Sequence, residues 1–208
     1  MNTTVRLLVS VTAASAVLAF SALAAPLSFD FNDPKGVNNV QFSLDAPLEQ
    51  ITGHATGVSG TIVFDPANPA ATKGKIVVAS SSLTVSNAMM KDHLHSAGWL
   101  DVAANPEITF EAKSLANVKT SGDTTTADLT GTLTVKGVAK QITVPATFSY
   151  LPGKLSARVQ KMEGDLLVVR ADFVINRSDF GIKPGEMTDK VAEQIHLKLS
   201  IAGASPKA

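Results

Sequence analysis

Apolar and polar residues alternate along most of the chain, most clearly between residues 127 and 150. Every second residue from Ala127 to Val135 is apolar or glycine, and the same period returns from Ile142 to Tyr150. A period of two points alternate side chains to opposite faces of a strand. Gly137 supplies a turn residue between the two arms, so the pattern predicts an antiparallel hairpin with one buried face.

Other stretches on both sides of the hairpin carry the same period. They occupy residues 40–44, 51–65, 75–83, 108–111, 155–162, 167–175 and 195–201. Clusters of Pro, Gly and Asp separate most of them, as expected for short turns. About eight strands joined in this way predict an all-β protein, an extended antiparallel eight-stranded barrel with one or two short helices.

Four segments are expected to interrupt or flank these strands. Residues 26–39 contain Pro and Gly without a sustained period, which predicts a lead-in loop. Ser86-Asn87 could cap a short helix over residues 88–95. Gly164-Asp165 is typical of a hairpin turn, and we expect residues 203–208 to form a frayed tail.

The first 24 residues have the pattern of a secretory signal peptide. A single charge, Arg6, precedes a long apolar run that ends in Ala22-Leu23-Ala24, which is a typical cleavage site. We therefore expect a signal peptide over 1–24, a barrel domain over 25–202 and a periplasmic location. The chain has no cysteine, which excludes disulfides, thiolate metal sites and a cysteine nucleophile.

The charge balance gives no reason to expect a polyanionic partner. The whole chain carries a formal net charge of zero, and removal of Arg6 with the signal leaves −1. Nucleic acid binding is therefore not predicted. Charged residues make up 17% of the chain, against about 25% in average domains, which suits a protein that encloses much apolar surface.

The inward faces of the predicted strands would form an apolar interior. The lining candidates are Phe42, Leu44, Ile62, Phe64, Ile76, Val78, Phe110, Leu129, Leu133, Ile142, Val144, Phe148, Phe173, Ile175, Phe180, Leu197 and Leu199. Leu94, Trp99 and Leu100 would cover one end as a lid or plug. A register shift of one residue would reverse any strand, and these side chains could instead pack on one another and fill the barrel.

The sequence contains few candidates for chemistry, and we predict no catalytic residue and no cofactor. His93 and His95 could ligate a metal from a strand, with Asp101 as a third ligand. On a helix, however, residues two apart point in different directions, so no metal site is predicted.

Five polar residues are candidates for the rim of the barrel. They are Lys91, Asp92, His93, Arg177 and Asp179. Arg177 and Asp179 could bind an anionic headgroup. Alternatively, Arg177 could pair with a carboxylate such as Asp92.

Several blocks of sequence, in this order and spacing, resemble the YceI-like family. They are Lys-Asp-His-Leu at 91–94, Trp-Leu-Asp at 99–101, Asn-Pro-Glu-Ile-Thr-Phe at 105–110, the run 129–140, and Arg-Ser-Asp-Phe-Gly-Ile at 177–182. The resemblance implies an exported bacterial protein with a lipocalin-like barrel that holds a polyisoprenoid or a similar long-chain amphiphile. Members of that family are often dimers, so the resemblance leaves a homodimer and a transient membrane contact open.

Three positions depart from the family pattern. Lys91 stands where Arg is common, Trp99 where Phe is common, and Val37-Asn38 where His-Ser is usual. The first two changes keep charge and aromaticity. Because of the third, the resemblance does not define the rim near the first strand or the headgroup preference.

We therefore expect a periplasmic carrier of an isoprenoid, quinone or related lipid that performs no covalent chemistry. The alternatives are a redox accessory or enzyme acting on a quinone-like ligand, and a metal-binding stress protein.

Overall fold

A computed structural model describes residues 25–33 and 35–207. The predicted signal peptide, residues 1–24, lies outside the described residues. The described part contains the strands β1 Leu27–Asp30, β2 Asn39–Asp45, β3 Gln50–Ala55, β4 Val58–Phe64, β5 Lys73–Ala79, β6 Thr84–Val85, β7 Glu107–Ser121, β8 Thr124–Val135, β9 Val138–Leu151, β10 Gly164–Asn176 and β11 Gln194–Pro206. It also contains the helices α1 Ala88–His95 and α2 Leu155–Arg158, and short 3-10 turns at Pro69–Ala71, Ser80–Ser82 and Arg177–Phe180.

Eight of these strands close into an antiparallel barrel. Their order is β1–β4–β5–β7–β8–β9–β10–β11, and β11 returns to β1 through the pairing of Asp30 with Ala204. Strands β2, β3 and β6 extend the wall beside the first half of β11, where Ser200 pairs with Asn39. The predicted eight-stranded antiparallel barrel with one or two short helices is confirmed.

The predicted hairpin of β8 and β9 is confirmed, and a two-residue turn joins its strands. Val135 pairs with Val138, and the intervening Lys136 and Gly137 have φ values of 50° and 71°. Two positive φ angles are typical of the type I′ turn, whose twist matches that of the flanking strands. Burial alternates strictly along β8, so this hairpin presents one face to the interior.

A proline splits the barrel wall between β9 and β10. Their ladder runs as far as the pair Ala146–Ala171, and the next residue of β9, Pro145, has no N–H to donate. Beyond that point the last residues of β10 pair only with β11. Phe180 and Ile182 pack into a second apolar cluster at this corner of the wall.

A buried asparagine, Asn38, closes the seam between β1 and β2 along β11. Its Nδ2 donates to the carbonyl oxygens of Phe31 (3.0 Å) and Ala202 (3.1 Å), and its Oδ1 accepts from the N–H of Ala202 (2.8 Å). Ala202 lies between the residues of β11 that pair with β2 and with β1. The Asn38 side chain therefore supplies the backbone partners that Ala202 would otherwise lack on this side.

The antiparallel registers place the element ends at two rims. At one rim, which we call the mouth, β8 and β10 end, β9 and β11 begin, and the turn 46–49 joins β2 to β3. The opposite rim is the closed end. There Phe64 stacks on Phe148 with ring centroids 5.8 Å apart, and Leu155 of α2 is fully buried at 0% exposure.

Two predictions at the chain ends are wrong. The expected lead-in loop contains β1, whose Phe29 is fully buried and whose residues pair with both β4 and β11. The expected tail from Gly203 is the end of β11, which stays paired through Pro206. Both segments are too short to show a clear period, and barrel closure gives them their partners.

Predictions between the elements also need correction. Residues 155–162, expected as a weak strand, begin with helix α2. Gly164-Asp165 is the start of β10 and not a hairpin turn. The single long pattern over 51–65 forms two strands, β3 and β4, which pair with different neighbours. The predicted helix at 88–95 is confirmed, with the Asn87 side chain accepting a hydrogen bond from the Met90 N–H at 3.0 Å.

Candidate functional site

A cavity of about 870 Å³ occupies the interior of the barrel. Small-molecule sites commonly measure about 300 to 1,000 Å³. The interior side chains therefore do not meet at the barrel axis, and the alternative in which they simply fill the barrel is wrong for this chain. What remains is a hollow with an almost entirely apolar wall.

Seventeen of the twenty predicted lining residues lie in the wall of this cavity. They are Phe42, Leu44, Ile62, Ile76, Val78, Leu94, Trp99, Leu100, Phe110, Leu129, Leu133, Val144, Phe148, Phe173, Ile175, Leu197 and Leu199. Several of them are only half-buried although they point inward, as on β11, where Leu197 and Leu199 alternate with more exposed neighbours. An inward-facing side chain keeps accessible surface only where it borders open space. Contact of these residues with a ligand remains a prediction.

Three predicted lining residues lie outside the cavity wall. Phe64 is 1% exposed and belongs to the closed-end core. Phe180, also 1% exposed, lies in the second apolar cluster, against which Ile142 packs. Phe64 and Ile142 lie on strands, whereas Phe180 lies in the 3-10 turn Arg177–Phe180. Packing partners cover all three completely or in large part.

The prediction missed two kinds of wall residue. Val169 and Ala171 line the cavity from the same face of β10 as Phe173, so the period of that strand was sufficient to find them. Met89, Met90 and Met187 also line it. They lie on α1 and in the loop before β11, where no strand period applies.

Two glycines keep aromatic rings flat against the wall. A Cβ atom at Gly131 would lie 2.3 Å from Cζ of Phe110, and one at Gly53 would lie 2.2 Å from Cζ of Phe42. Each ring therefore occupies the space of the missing side chain, an arrangement in which an aromatic residue covers a strand glycine. Because both rings lie along the wall, less of each one occupies the lumen.

Polar lining residues are found mainly on the segments that surround the mouth. They include Glu49 in the turn before β3, Asn87 and His93 around α1, and Lys183 and Lys190 in the loop before β11. The turn and the loop are joined by a hydrogen bond of 2.9 Å from the Leu48 N–H to the Asp189 carbonyl oxygen. An apolar chain inside the barrel would thus leave a polar end group at this rim.

The structure places two of the five predicted rim residues in the cavity wall. His93 and Arg177 line the cavity, whereas Lys91, Asp92 and Asp179 are not among the residues of its wall. Leu94, Trp99 and Leu100, the predicted lid, pack with the second cluster and cover the side of the mouth next to β8.

Arg177 is fully buried, with 0% exposure, and its hydrogen-bond donors are used within the chain. All five of its N–H groups donate to backbone carbonyls. The acceptors are Ala192 for Nε at 3.2 Å, Ile182 (2.9 Å) and Lys183 for Nη1, and Val191 (3.3 Å) and Glu186 for Nη2. A guanidinium has five N–H donors, so none is left for an anionic headgroup.

The proposed pairing of Arg177 with Asp92 is also wrong. The nearest carboxylate to the guanidinium is that of Glu193, 3.8 Å from Nε. Arg177 therefore fixes the path of residues 182–193 at the mouth and is a structural residue of the rim.

The two helix histidines have different environments. Nε2 of His95 lies 2.8 Å from the carbonyl oxygen of Leu83, whereas His93 faces the mouth. Among residues 25–33 and 35–207, no group of three or more His, Cys, Asp and Glu side chains is placed to hold a metal ion. The His93, His95 and Asp101 arrangement therefore does not form. In the same part of the chain, no helix is both long and apolar enough to cross a membrane.

The closed antiparallel sheet and its contents define this chain as a small β-barrel protein built around an apolar cavity. A family model for the YceI-like domain matches residues 31–202. The chain therefore belongs to the YceI-like family, as its sequence blocks indicate.

Comparisons with individual proteins agree with this membership. A UPF0312 protein of Pseudomonas aeruginosa is 38% identical over 94 residues, which are 45% of this chain and 47% of that protein. The chain thus aligns with about half the length of this relative. The crystal structure of BcnA from Burkholderia cenocepacia has a TM-score of 0.65 at 23% identity, covering 79% of this chain and 95% of BcnA.

A further solved structure is a polyisoprenoid-binding domain from Saccharophagus degradans. Its TM-score is 0.61 at 12% identity, and the match covers 88% of this chain and 100% of that domain. At such identities the likeness of these two structures shows a shared fold.

The departure from the family pattern at Val37-Asn38 lies away from the mouth. Asn38 is 2% exposed and holds the seam of the barrel beside Ala202, whereas β2 reaches the mouth at its other end, Asp45. This departure therefore does not change the rim at the mouth. It changes how the wall is closed.

Proposed function

We propose that this protein binds a long-chain apolar lipid, a polyisoprenoid or a quinone-like amphiphile, inside the barrel and carries it in the periplasm. The observation that carries the proposal is the cavity of about 870 Å³ with an apolar wall and polar residues at one rim. The polyisoprenoid-binding domain that shares this fold supports the choice of ligand class.

Burial of the hydrocarbon tail would supply the affinity. Each buried methylene contributes about 0.8 kcal/mol, so one five-carbon isoprene unit contributes about 4 kcal/mol before costs. A few units reach the range of tight complexes, even after the ordering of a flexible chain is subtracted. The polar groups at the mouth then select the end group and its orientation.

The carrier role is part of the same proposal. The signal-like N-terminus supports export, and simple retention of a lipid requires no covalent step. Loading from a membrane surface and assembly as a homodimer are compatible with a cavity that has its polar residues at one rim.

Lipid analysis of the purified protein tests the proposal. The protein is expressed with its own N-terminus, recovered from the periplasm and extracted with organic solvent, and the extract is examined by mass spectrometry. We expect one dominant long-chain lipid in near-stoichiometric amount. Ala171 lines the cavity, and Ala171→Phe should lower the bound lipid at least about tenfold, because the ring occupies the lumen.

Arg170→Phe provides the matched control. Arg170 is the preceding residue of β10 and is exposed, so the same ring is added to the outside and lipid content should not change. A wild-type preparation that is consistently empty, and that takes up neither a polyprenol nor a quinone when these are added, would contradict the proposal. Equal lipid content in the two variants would place the ligand outside the barrel.

A further inference from the structure

Methionine is concentrated at the mouth. The chain has five methionines, and the described part contains four of them. Met89, Met90 and Met187 line the cavity, whereas Met162 does not. Met89 is 70% exposed and Met187 is 47% exposed, so these thioethers are accessible from solvent.

Two of these methionines share one face of α1 with a histidine. An α-helix turns about 100° per residue, so His93 projects about 40° from Met89 and about 60° from Met90, between the two. Residues three and four apart are neighbours on a helix surface. All three side chains line the cavity, and methionine has three rotatable bonds with which to adjust its sulfur.

The His93 ring is available for binding. Within residues 25–33 and 35–207 the structure records no hydrogen bond to either of its ring nitrogens, in contrast to His95, which is bound to the Leu83 carbonyl. The helix face is fixed at its start by the Asn87 cap on the Met90 N–H. Two thioethers and one imidazole therefore project from the same face of α1, within about one and a half turns of its capped end.

We propose that Met89, Met90 and His93 form a binding site for a soft monovalent metal ion, Cu(I), at the mouth of the barrel. Thioethers are soft, uncharged ligands and select Cu(I) over harder ions, while imidazole binds copper well. No cluster of carboxylates, histidines and cysteines competes in the described part of the chain. The site lies where the cavity opens, and its test uses the metal alone, so the result does not depend on which lipid the barrel binds.

Titration with Cu(I) tests the site. The purified protein is titrated with Cu(I), kept reduced by ascorbate, in competition with the chromogenic chelator bicinchoninate. We expect one equivalent to be held. The double change Met89→Leu/Met90→Leu should weaken binding by more than about 100-fold, beyond the 10- to 100-fold cost of second-shell changes, and His93→Gln should also weaken it.

Leucine matches methionine in volume, so the double variant keeps the apolar surface and removes only the sulfur. Its melting temperature should therefore equal that of the wild type. Met162→Leu and His54→Gln, at positions outside the cavity wall, are controls that should leave Cu(I) binding unchanged. The site is refuted if the wild type holds no Cu(I), if the double variant retains its affinity, or if Zn(II) is held more tightly than Cu(I).

Discussion

The Nη1 atom of Arg177 donates a hydrogen bond of 2.9 Å to the carbonyl oxygen of Ile182, five residues further along the chain. Together with four further carbonyl acceptors between Lys183 and Ala192, this contact winds the loop before β11 around one buried side chain. The loop carries Lys183, Met187 and Lys190 to the mouth. A fully buried cation therefore determines the shape of the entrance without being available to a ligand.

Replacement of Arg177 by methionine should destabilise the protein by at least about 3 kcal/mol. The change removes five donors and leaves buried carbonyls without partners, each of which costs about 1–3 kcal/mol when it stays dry. Urea unfolding measures the effect. Arg170→Met, at an exposed position of the neighbouring strand, should change stability by less than about 0.5 kcal/mol. Equal stability of the two variants would show that the Arg177 contacts contribute little.

Replacement of Gly131 by alanine should push the Phe110 ring into the lumen. The new Cβ would lie 2.3 Å from Cζ of Phe110 and 2.6 Å from the Glu111 carbonyl oxygen. Overpacking of this kind costs about 1–3 kcal/mol, which urea unfolding would show, and lipid capacity should fall with it.

Two controls accompany the Gly131 change. Gly98→Ala, where the nearest atom would be 3.8 Å away, should be close to neutral. In the background of Phe110→Leu the cost of Gly131→Ala should decrease, because the ring that causes part of the overlap is gone. An undiminished cost would assign the effect to the Glu111 backbone alone.

The hydroxyl of Tyr150 should lose its proton at a higher pH than that of an ordinary tyrosine. Burial raises the pKa of its hydroxyl to about 12, aided by the hydrogen bond that it donates to Asp165. Because the folded pKa is raised, this interaction stabilises the fold fully below the unfolded pKa of about 10 and is lost as pH rises through the folded value. The chain has a single tyrosine, so ultraviolet absorbance of the tyrosinate reports this residue alone. Asp165→Asn should lower the midpoint, and a wild-type midpoint near 10 would contradict the expectation.

Acid should loosen the closed end through Asp33. Burial by itself would raise the pKa of this carboxyl, but backbone N–H donors from Asn38, Lys35 and Val37, with the Arg158 charge, hold it below its ordinary value. A lowered folded pKa stabilises the fold above the unfolded pKa of about 3.9, and this stabilisation is lost as pH falls through the folded value. Thermal melting against pH should therefore fall steeply at acid pH.

Asp33→Asn should flatten that acid slope, because the amide does not titrate. Asp172→Asn is the matched control, since the Asp172 side chain is 70% exposed and only 3.9 Å from a similarly exposed lysine. An unchanged slope in Asp33→Asn, or an equal flattening in Asp172→Asn, would assign the acid sensitivity to other carboxyls.

Local periodicity was sufficient to predict the strands with a long period and the face that each one turns inward. From β8 to β11 this is a local property, because successive side chains of a strand point to opposite sides whatever its neighbours are. Most of the lining candidates, among them Phe110, Leu129 and Leu197, were therefore found without coordinates. The helix cap at Asn87 was found for the same reason, since it depends on residues three positions apart.

Whether the interior is full or hollow depends on how the eight strands close, and no local pattern encodes that closure. The tertiary structure made a strand of Leu27–Asp30 and kept residues 203–206 paired, because closure supplies backbone partners that a short segment cannot provide for itself. The fold also shows that Arg177, a candidate for binding a headgroup, is a structural residue at the centre of a loop. The charge was visible in the sequence, but the five carbonyls that consume its donors come together only when residues 182–192 fold around it.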